Sequence, residues 1–137
     1  NPSFFYSGYC LPKDAKALSS QCNSDILNAI VSSNEKRKNF IVETIVKEAK
    51  TKNENPVIGI YNLDTEEDGG KSHLSSSYEI FKILQKYPVK IVVFDEFYKD
   101  SIKDFEDFCN MSDLIITNVF DEKLAAVRSK VFTRNLI

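Results

Sequence analysis

Glycine, histidine and cysteine are all scarce in this chain, and each shortage closes off a class of chemistry. Only four glycines occur, Gly8, Gly59, Gly69 and Gly70, and no G-x-G-x-x-G string runs through them. A dinucleotide-binding strand–turn–helix needs that string, because its glycines let the backbone close on a pyrophosphate at a helix N-terminus. A single histidine, His73, excludes both a histidine-built metal centre and a Ser-His-Asp triad. The cysteines, Cys10, Cys22 and Cys109, have neither the even count of a disulfide framework nor zinc-ligand spacing. An odd set of free thiols is expected in the reducing cytoplasm. No apolar run approaches the ~20 residues of a membrane span, so no membrane partner is expected. No secretory leader is visible, and a start at Asn1 rather than methionine carries the expectation of an N-terminus further upstream. A net charge of −2 lacks the clustered basic surplus of a nucleic-acid surface.

What remains is an ordinary globular composition, 42% hydrophobic and 28% charged over 137 residues, enough for one domain with a real core. Residues 1–9 read as loop. Pro12 to about Ser20 reads as a short helix. Ser24 then caps a longer one to about Lys50, with Ile26, Ala29, Ile30, Phe40, Ile41, Ile45 and Ala49 at helical spacing. The polar run Ser32–Lys38 inside it is expected to be a solvated helix face. Further on, strands Val57–Tyr61, Val89–Phe94, Leu114–Thr117 and Val131–Thr133 alternate with helices Leu74–Lys86, Asp104–Met111 and Glu122–Arg128. Alternation of this kind predicts an α/β fold, a Rossmann-like parallel sheet with helices on both faces, preceded by an N-terminal helical segment. The boundary between the two falls at residues 1–50 and 51–137. The acidic loop Asp64–Gly70 lacks the ligand spacing of an EF-hand and is expected to be solvated surface.

One stretch stands apart. In Ser7-Gly8-Tyr9-Cys10-Leu11-Pro12-Lys13-Asp14 a cysteine precedes a proline suited to the first turn of a helix. Cys10 is expected just before that helix N-terminus, whose partial positive charge stabilises an anion, and beside Lys13. Such surroundings favour the thiolate, the nucleophilic form. Asp14 lies one helical turn on, placed to order a water or hold a cation. The plainer alternative is a buried cysteine that happens to precede a helix, since free cysteine is among the most buried residue types.

Asn1-Pro2-Ser3-Phe4 through Cys10-Leu11-Pro12-Lys13-Asp14, continued by Ser32-Ser33-Asn34 and the closing strands, resembles the active-site segment of the UDP-glucose dehydrogenase family. The resemblance covers essentially the whole chain. It implies the C-terminal, UDP-binding part of an NAD-dependent enzyme whose N-terminal NAD-binding domain is absent from these residues. A chain lacking that domain is expected to fold but not to turn over. By resemblance Cys10 is the catalytic nucleophile and Asp14 orders the hydrolytic water. Asn1, Pro2, Ser3, Ser7 and Gly8 line the UDP-sugar, and Lys13 approaches the cofactor. The first oxidation leaves an aldehyde. Cys10 attacks it to give a thiohemiacetal, and a second oxidation leaves a thioester that water hydrolyses. The family also implies a homodimer for the full-length protein.

The sequence departs from its relatives in ways that bear on substrate. Where the family pattern is glycine, aromatic, glycine, glycine, this chain has Phe5, Tyr6, Ser7, Gly8. Phe5 does not take a positive φ readily. Basic residues that reach the nucleotide in relatives align with Glu66, His73 and Val119. Fewer positive groups weaken the grip on a diphosphate. Two alternatives to UDP-glucose oxidation therefore stay open: the same chemistry on UDP-N-acetylmannosamine or GDP-mannose, or a non-catalytic relative serving binding or assembly.

Overall fold

Four short, mostly apolar runs become the strands of one parallel sheet: β1 (Val57–Tyr61), β2 (Lys90–Phe94), β3 (Leu114–Ile116) and β4 (Val131–Phe132), in the order β2-β1-β3-β4. The computed structural model describes residues 3–63 and 75–134; Asn1, Pro2 and the acidic loop, with Glu66 and His73, lie outside them. β1 is central. Ile58 faces Ile91 on one side and Leu114 on the other, and Ile60 likewise faces Val93 and Ile116. The period of two sends Ile58, Ile60, Val93, Leu114, Ile116 and Phe132 into one core and Tyr61, Val92 and Ile115 into a second.

Helices cover both faces. α1 spans Cys10–Cys22, α2 Asp25–Lys52, α3 Ser76–Leu84 and α4 Phe105–Met111, and a 3₁₀ segment spans Glu122–Lys130. Ile41, Val42, Ile45, Val46 and Ala49 of α2 join Ile80, Phe81 and Leu84 of α3 in the first core, while Phe108 and Cys109 of α4 join Leu124 in the second. The strand order accounts for this division. The chain leaves β1 to one side through α3, then returns past β1 to the other side through α4. Because parallel crossovers are almost always right-handed, the two helices lie on opposite faces. Local chemistry sets the starts. Ser75 accepts the Tyr78 N–H at 3.0 Å before α3, and Asp104 accepts the Asp107 N–H at 2.9 Å before α4. Between sheet and α4, Gly59 is a contact glycine: a Cβ there would stand 2.9 Å from the Phe108 ring and collide with the Ser112 hydroxyl.

Three expectations change. α1 begins at Cys10, two residues ahead of Pro12, so the cysteine is the first helical residue rather than the one before it. Proline is tolerated there because the N–H groups of a helix's first turn have no intrahelical acceptor. Second, Ile26, Ala29, Ile30 and Phe40 do not face the core: Ile26 is 74% exposed and Phe40 60%. Only the C-terminal half of α2 meets the sheet. Its N-terminal half pairs with α1, which buries none of its own residues, across a tight left-handed turn at Asn23 (φ 41°). Third, the polar run of α2 is not wholly solvated, since Asn34 and Lys38 are buried.

Candidate active site at the carboxyl edge of the sheet

In an open parallel sheet ligands bind beyond the carboxyl ends of the strands, where the strand order reverses. Here the reversal falls between β1 and β3. The carboxyl end of β3 leads directly to Asn118, and the loop 3–9 is fastened there. Phe4 is fully buried, stacked on Phe132 of β4 with ring centroids 6.1 Å apart, and its N–H donates to Asn118 Oδ1 at 3.3 Å. Phe5 is also buried, and the Lys38 ammonium sits 5.4 Å from its ring centroid.

α2 supplies the other fastenings from one of its faces. Asn34 Oδ1 accepts the Tyr6 N–H at 3.2 Å, and Asn34 Nδ2 donates to the Tyr6 carbonyl at 3.0 Å. One turn on, Arg37 Nε donates to the Phe4 carbonyl at 2.6 Å. Lys38 pairs with Glu79 of α3 at 2.5 Å and with Glu35 at 3.0 Å. Burial alone would lower the Lys38 pKa, but its hydrogen bonds and charge pairing with Glu79 and Glu35 outweigh that and hold it above the usual lysine value. Residues at i, i+3 and i+4 share one side of a helix, so this face of α2 is set against the loop.

The loop delivers the expected site residues. Ser3, Ser7 and Gly8 are half-buried, and the Ser3 hydroxyl donates to the Phe5 carbonyl. Gly8 has φ +91° and is the one described position in the loop that needs the left-handed region. Phe5 and Ser7 have ordinary φ, and the buried Phe5 ring serves as an anchor. Cys10 then opens α1 with its thiol exposed, whereas Cys109 is buried and its thiol is pushed up by that burial against the pull of Lys130. Cys10 is therefore not the buried cysteine of the plainer alternative. Asp14 sits four residues on, on the same side of α1. Lys13 pairs with Asp14 at 3.3 Å on the open surface and lies 5.0 Å from the Tyr9 ring centroid. Val119, just past β3, is exposed.

A second polar cluster lies at the same edge, on the α4 side. A cavity of about 510 Å³ is lined by Tyr61, Asn62, Asp95, Lys103 and Asp121 among others. The Tyr61 hydroxyl donates to Asp121 Oδ2 at 2.7 Å. Burial, with the neighbouring carboxylate, pushes the Tyr61 pKa up to about 12. Asp121 is held below the usual carboxylate range by the Lys123 N–H and this hydroxyl. Asp95 is buried and accepts backbone N–H groups from Leu63, Phe97 and Tyr98, a structural role at the end of β2. A larger cavity of about 710 Å³ runs along edge strand β2 and holds none of the expected site residues. No group of His, Cys, Asp and Glu among the described residues is arranged to hold a metal ion, and no described helix is long and apolar enough to cross a membrane.

Fold and site define a Rossmann-like α/β unit that carries an exposed thiol at the start of a helix, directly after a loop tied to the carboxyl edge of its sheet. No protein-family model matches the chain. Two curated relatives do. A UDP-glucose 6-dehydrogenase of Campylobacter jejuni is 36% identical over 99% of this chain, and one of Streptococcus pneumoniae is 31% identical over 99%. Each alignment takes in 36% of the relative, so the chain spans about a third of the relatives' length. Among solved structures, a GDP-mannose dehydrogenase of Pseudomonas aeruginosa has a TM-score of 0.73 over 97% of this chain and 37% of its own, at 18% identity. A UDP-D-ManNAc dehydrogenase of Pyrococcus horikoshii has a TM-score of 0.69 over 97% and 34%, at 17% identity. Those structures speak for the fold alone. By sequence, the chain is similar over nearly its whole length to about a third of each of these two UDP-glucose 6-dehydrogenases.

Proposed function

We propose that this chain is the sugar-nucleotide-binding, C-terminal portion of an NAD-dependent dehydrogenase that oxidises UDP-glucose to UDP-glucuronate through a thioester on Cys10. The observation that carries the reading is the exposed Cys10 thiol at the start of α1, directly after a loop fastened beyond β3. The residues present do not fit NAD. The chain has four glycines and no dinucleotide fingerprint, so the cofactor is assigned to a domain outside these residues. When bound there, NAD⁺ supplies the acceptor for the hydride lost in each oxidation.

The chain's own groups do the rest. Loop 3–9, with Ser3, Ser7 and Gly8, lies along the nucleotide sugar. The Cys10 thiolate attacks the aldehyde carbon left by the first oxidation, forming a C–S bond and a thiohemiacetal. Loss of hydride from that carbon leaves a thioester. Water oriented by Asp14 adds to it, the C–S bond breaks, and the carboxylate leaves as the thiol is restored. A thiol suits this task because it keeps the aldehyde from escaping between oxidations. Lys13, paired with Asp14 on the open side of α1, is assigned to the cofactor side. The exposed apolar residues of α1 and α2, Leu11, Leu18, Ile26 and Ile30, suit a surface covered by the rest of the longer protein or by a second subunit.

One observation favours a different sugar. Phe5 is buried as an anchor where relatives carry glycine, which reshapes the loop that would meet the substrate. The deciding experiment follows NAD⁺ reduction by the full-length protein with UDP-glucose, UDP-N-acetylmannosamine and GDP-mannose. The proposal expects two NADH per UDP-glucose consumed. Turnover of another member of the panel alone reassigns the sugar. Binding without NADH formation on any of them overturns the dehydrogenase reading.

A further inference from the structure

The run 32–38 looks like solvated helix surface in the sequence, yet it makes the closest polar contacts to the loop that carries the reactive segment. Asn34 satisfies both backbone groups of Tyr6, which requires one donor and one acceptor on the same short side chain. That demand also fixes which way the amide points, since its oxygen faces an N–H and its nitrogen a carbonyl. Arg37 takes the Phe4 carbonyl and Asn118 the Phe4 N–H. Three side chains therefore hold every backbone polar group of Phe4 and Tyr6, and they come from two elements, α2 and the end of β3. The loop is paired to side chains the way a strand is paired to its neighbour. Between these fixed residues and Cys10 lie only Ser7, Gly8 and Tyr9.

We infer that Asn34 and Arg37 are positioning residues, which lock loop 3–9 in the one placement that carries the chain from the carboxyl edge of the sheet to Gly8 and Cys10. The inference rests on the dehydrogenase reading for its catalytic consequence but not for the clamp itself. Neither side chain is asked to touch substrate; each acts through the loop backbone. Misplacing a reacting group by about 1 Å costs on the order of 10²-fold in rate, so loosening the loop falls on turnover and not on cofactor binding.

The test uses the full-length protein and two readouts. Amide hydrogen exchange of the 3–9 segment reports the clamp directly. Asn34→Ala is expected to accelerate exchange there at least about tenfold while exchange in β1 stays unchanged. Steady-state kinetics are expected to show kcat lowered on the order of 10- to 100-fold with the KM for NAD⁺ within about twofold of wild type. Should the buried Asn34→Ala change unfold the protein, Arg37→Ala, on an exposed residue, gives the same readouts, and Arg37→Lys, which keeps a donor, is expected to recover part of both. Exchange within about twofold of wild type in the folded variants overturns the clamp; faster exchange with unchanged kcat overturns its positioning role. If wild-type protein oxidises no nucleotide sugar, the dehydrogenase reading fails, and accelerated exchange still upholds the clamp.

Discussion

Tyr61 shows how much one side chain can report. Its ring is buried among Phe94, Phe105 and Phe108, and its hydroxyl is spent on Asp121. In the unfolded chain a tyrosine loses its proton near pH 10, whereas the folded protein holds it to about 12. The stabilising contribution is therefore complete below about pH 10 and is lost as pH rises through about 12. Denaturant midpoints measured from pH 8 to 12 should fall over that window, and Tyr61→Phe should flatten the fall. Gly59 makes a second prediction. With Phe108 and Ser112 packed against its Cα, Gly59→Ala should cost about 1–3 kcal/mol in urea unfolding, through overpacking. Single residues were unevenly legible. Cys10 could be singled out because a thiol ahead of Pro12-Lys13-Asp14 has an obvious chemistry. Asn34 and Arg37 could not, because a polar residue on a helix facing a loop carries the same letter as one facing water. The only sequence hint was Asn34 ending the Ser32-Ser33-Asn34 string, one of the stretches on which the resemblance was drawn.

Among the elements, α2 joins the parts. Its C-terminal half is ordinary core packing under the sheet; its middle is a polar face turned to the loop; its N-terminal half only supports α1. The helical period predicted a helix over this stretch and its boundaries within two residues, but a period cannot say which length of a helix meets the sheet. That is why Ile26, Ile30 and Phe40 keep the helical spacing and yet stand outside. The strands were legible for the opposite reason. A parallel strand buried on both faces has to be apolar almost throughout, and Val57–Tyr61 and Leu114–Ile116 have no other use. Lys38 ties α2 to α3 through Glu79, with its ammonium largely out of water. Lys38→Met should destabilise by about 1–3 kcal/mol, because Glu79 loses its partner while still partly buried. Since the Lys38 pKa is raised, this contribution is intact below the ordinary lysine range, about pH 10, and fades above it. Wild type and Lys38→Met should accordingly converge in stability at strongly alkaline pH.

At the scale of the molecule the described residues form a two-sided α/β layer with a helical arm. The fold could be read from alternation of strands and helices. The site could be read only where the motif lay, and its Asn1 and Pro2 lie outside the described residues. If Cys10 turns substrate over with a cofactor held elsewhere, one experiment addresses that most directly. Full-length protein carrying Asp14→Asn, in which thioester hydrolysis is expected to slow, is mixed with UDP-glucose and NAD⁺, quenched in acid, and digested for mass spectrometry. The account predicts an acyl adduct on the peptide containing Cys10 and on no other cysteine peptide. Production of two NADH per sugar with the Cys10 peptide unmodified, and unimpaired acid formation in Cys10→Ala, would contradict it.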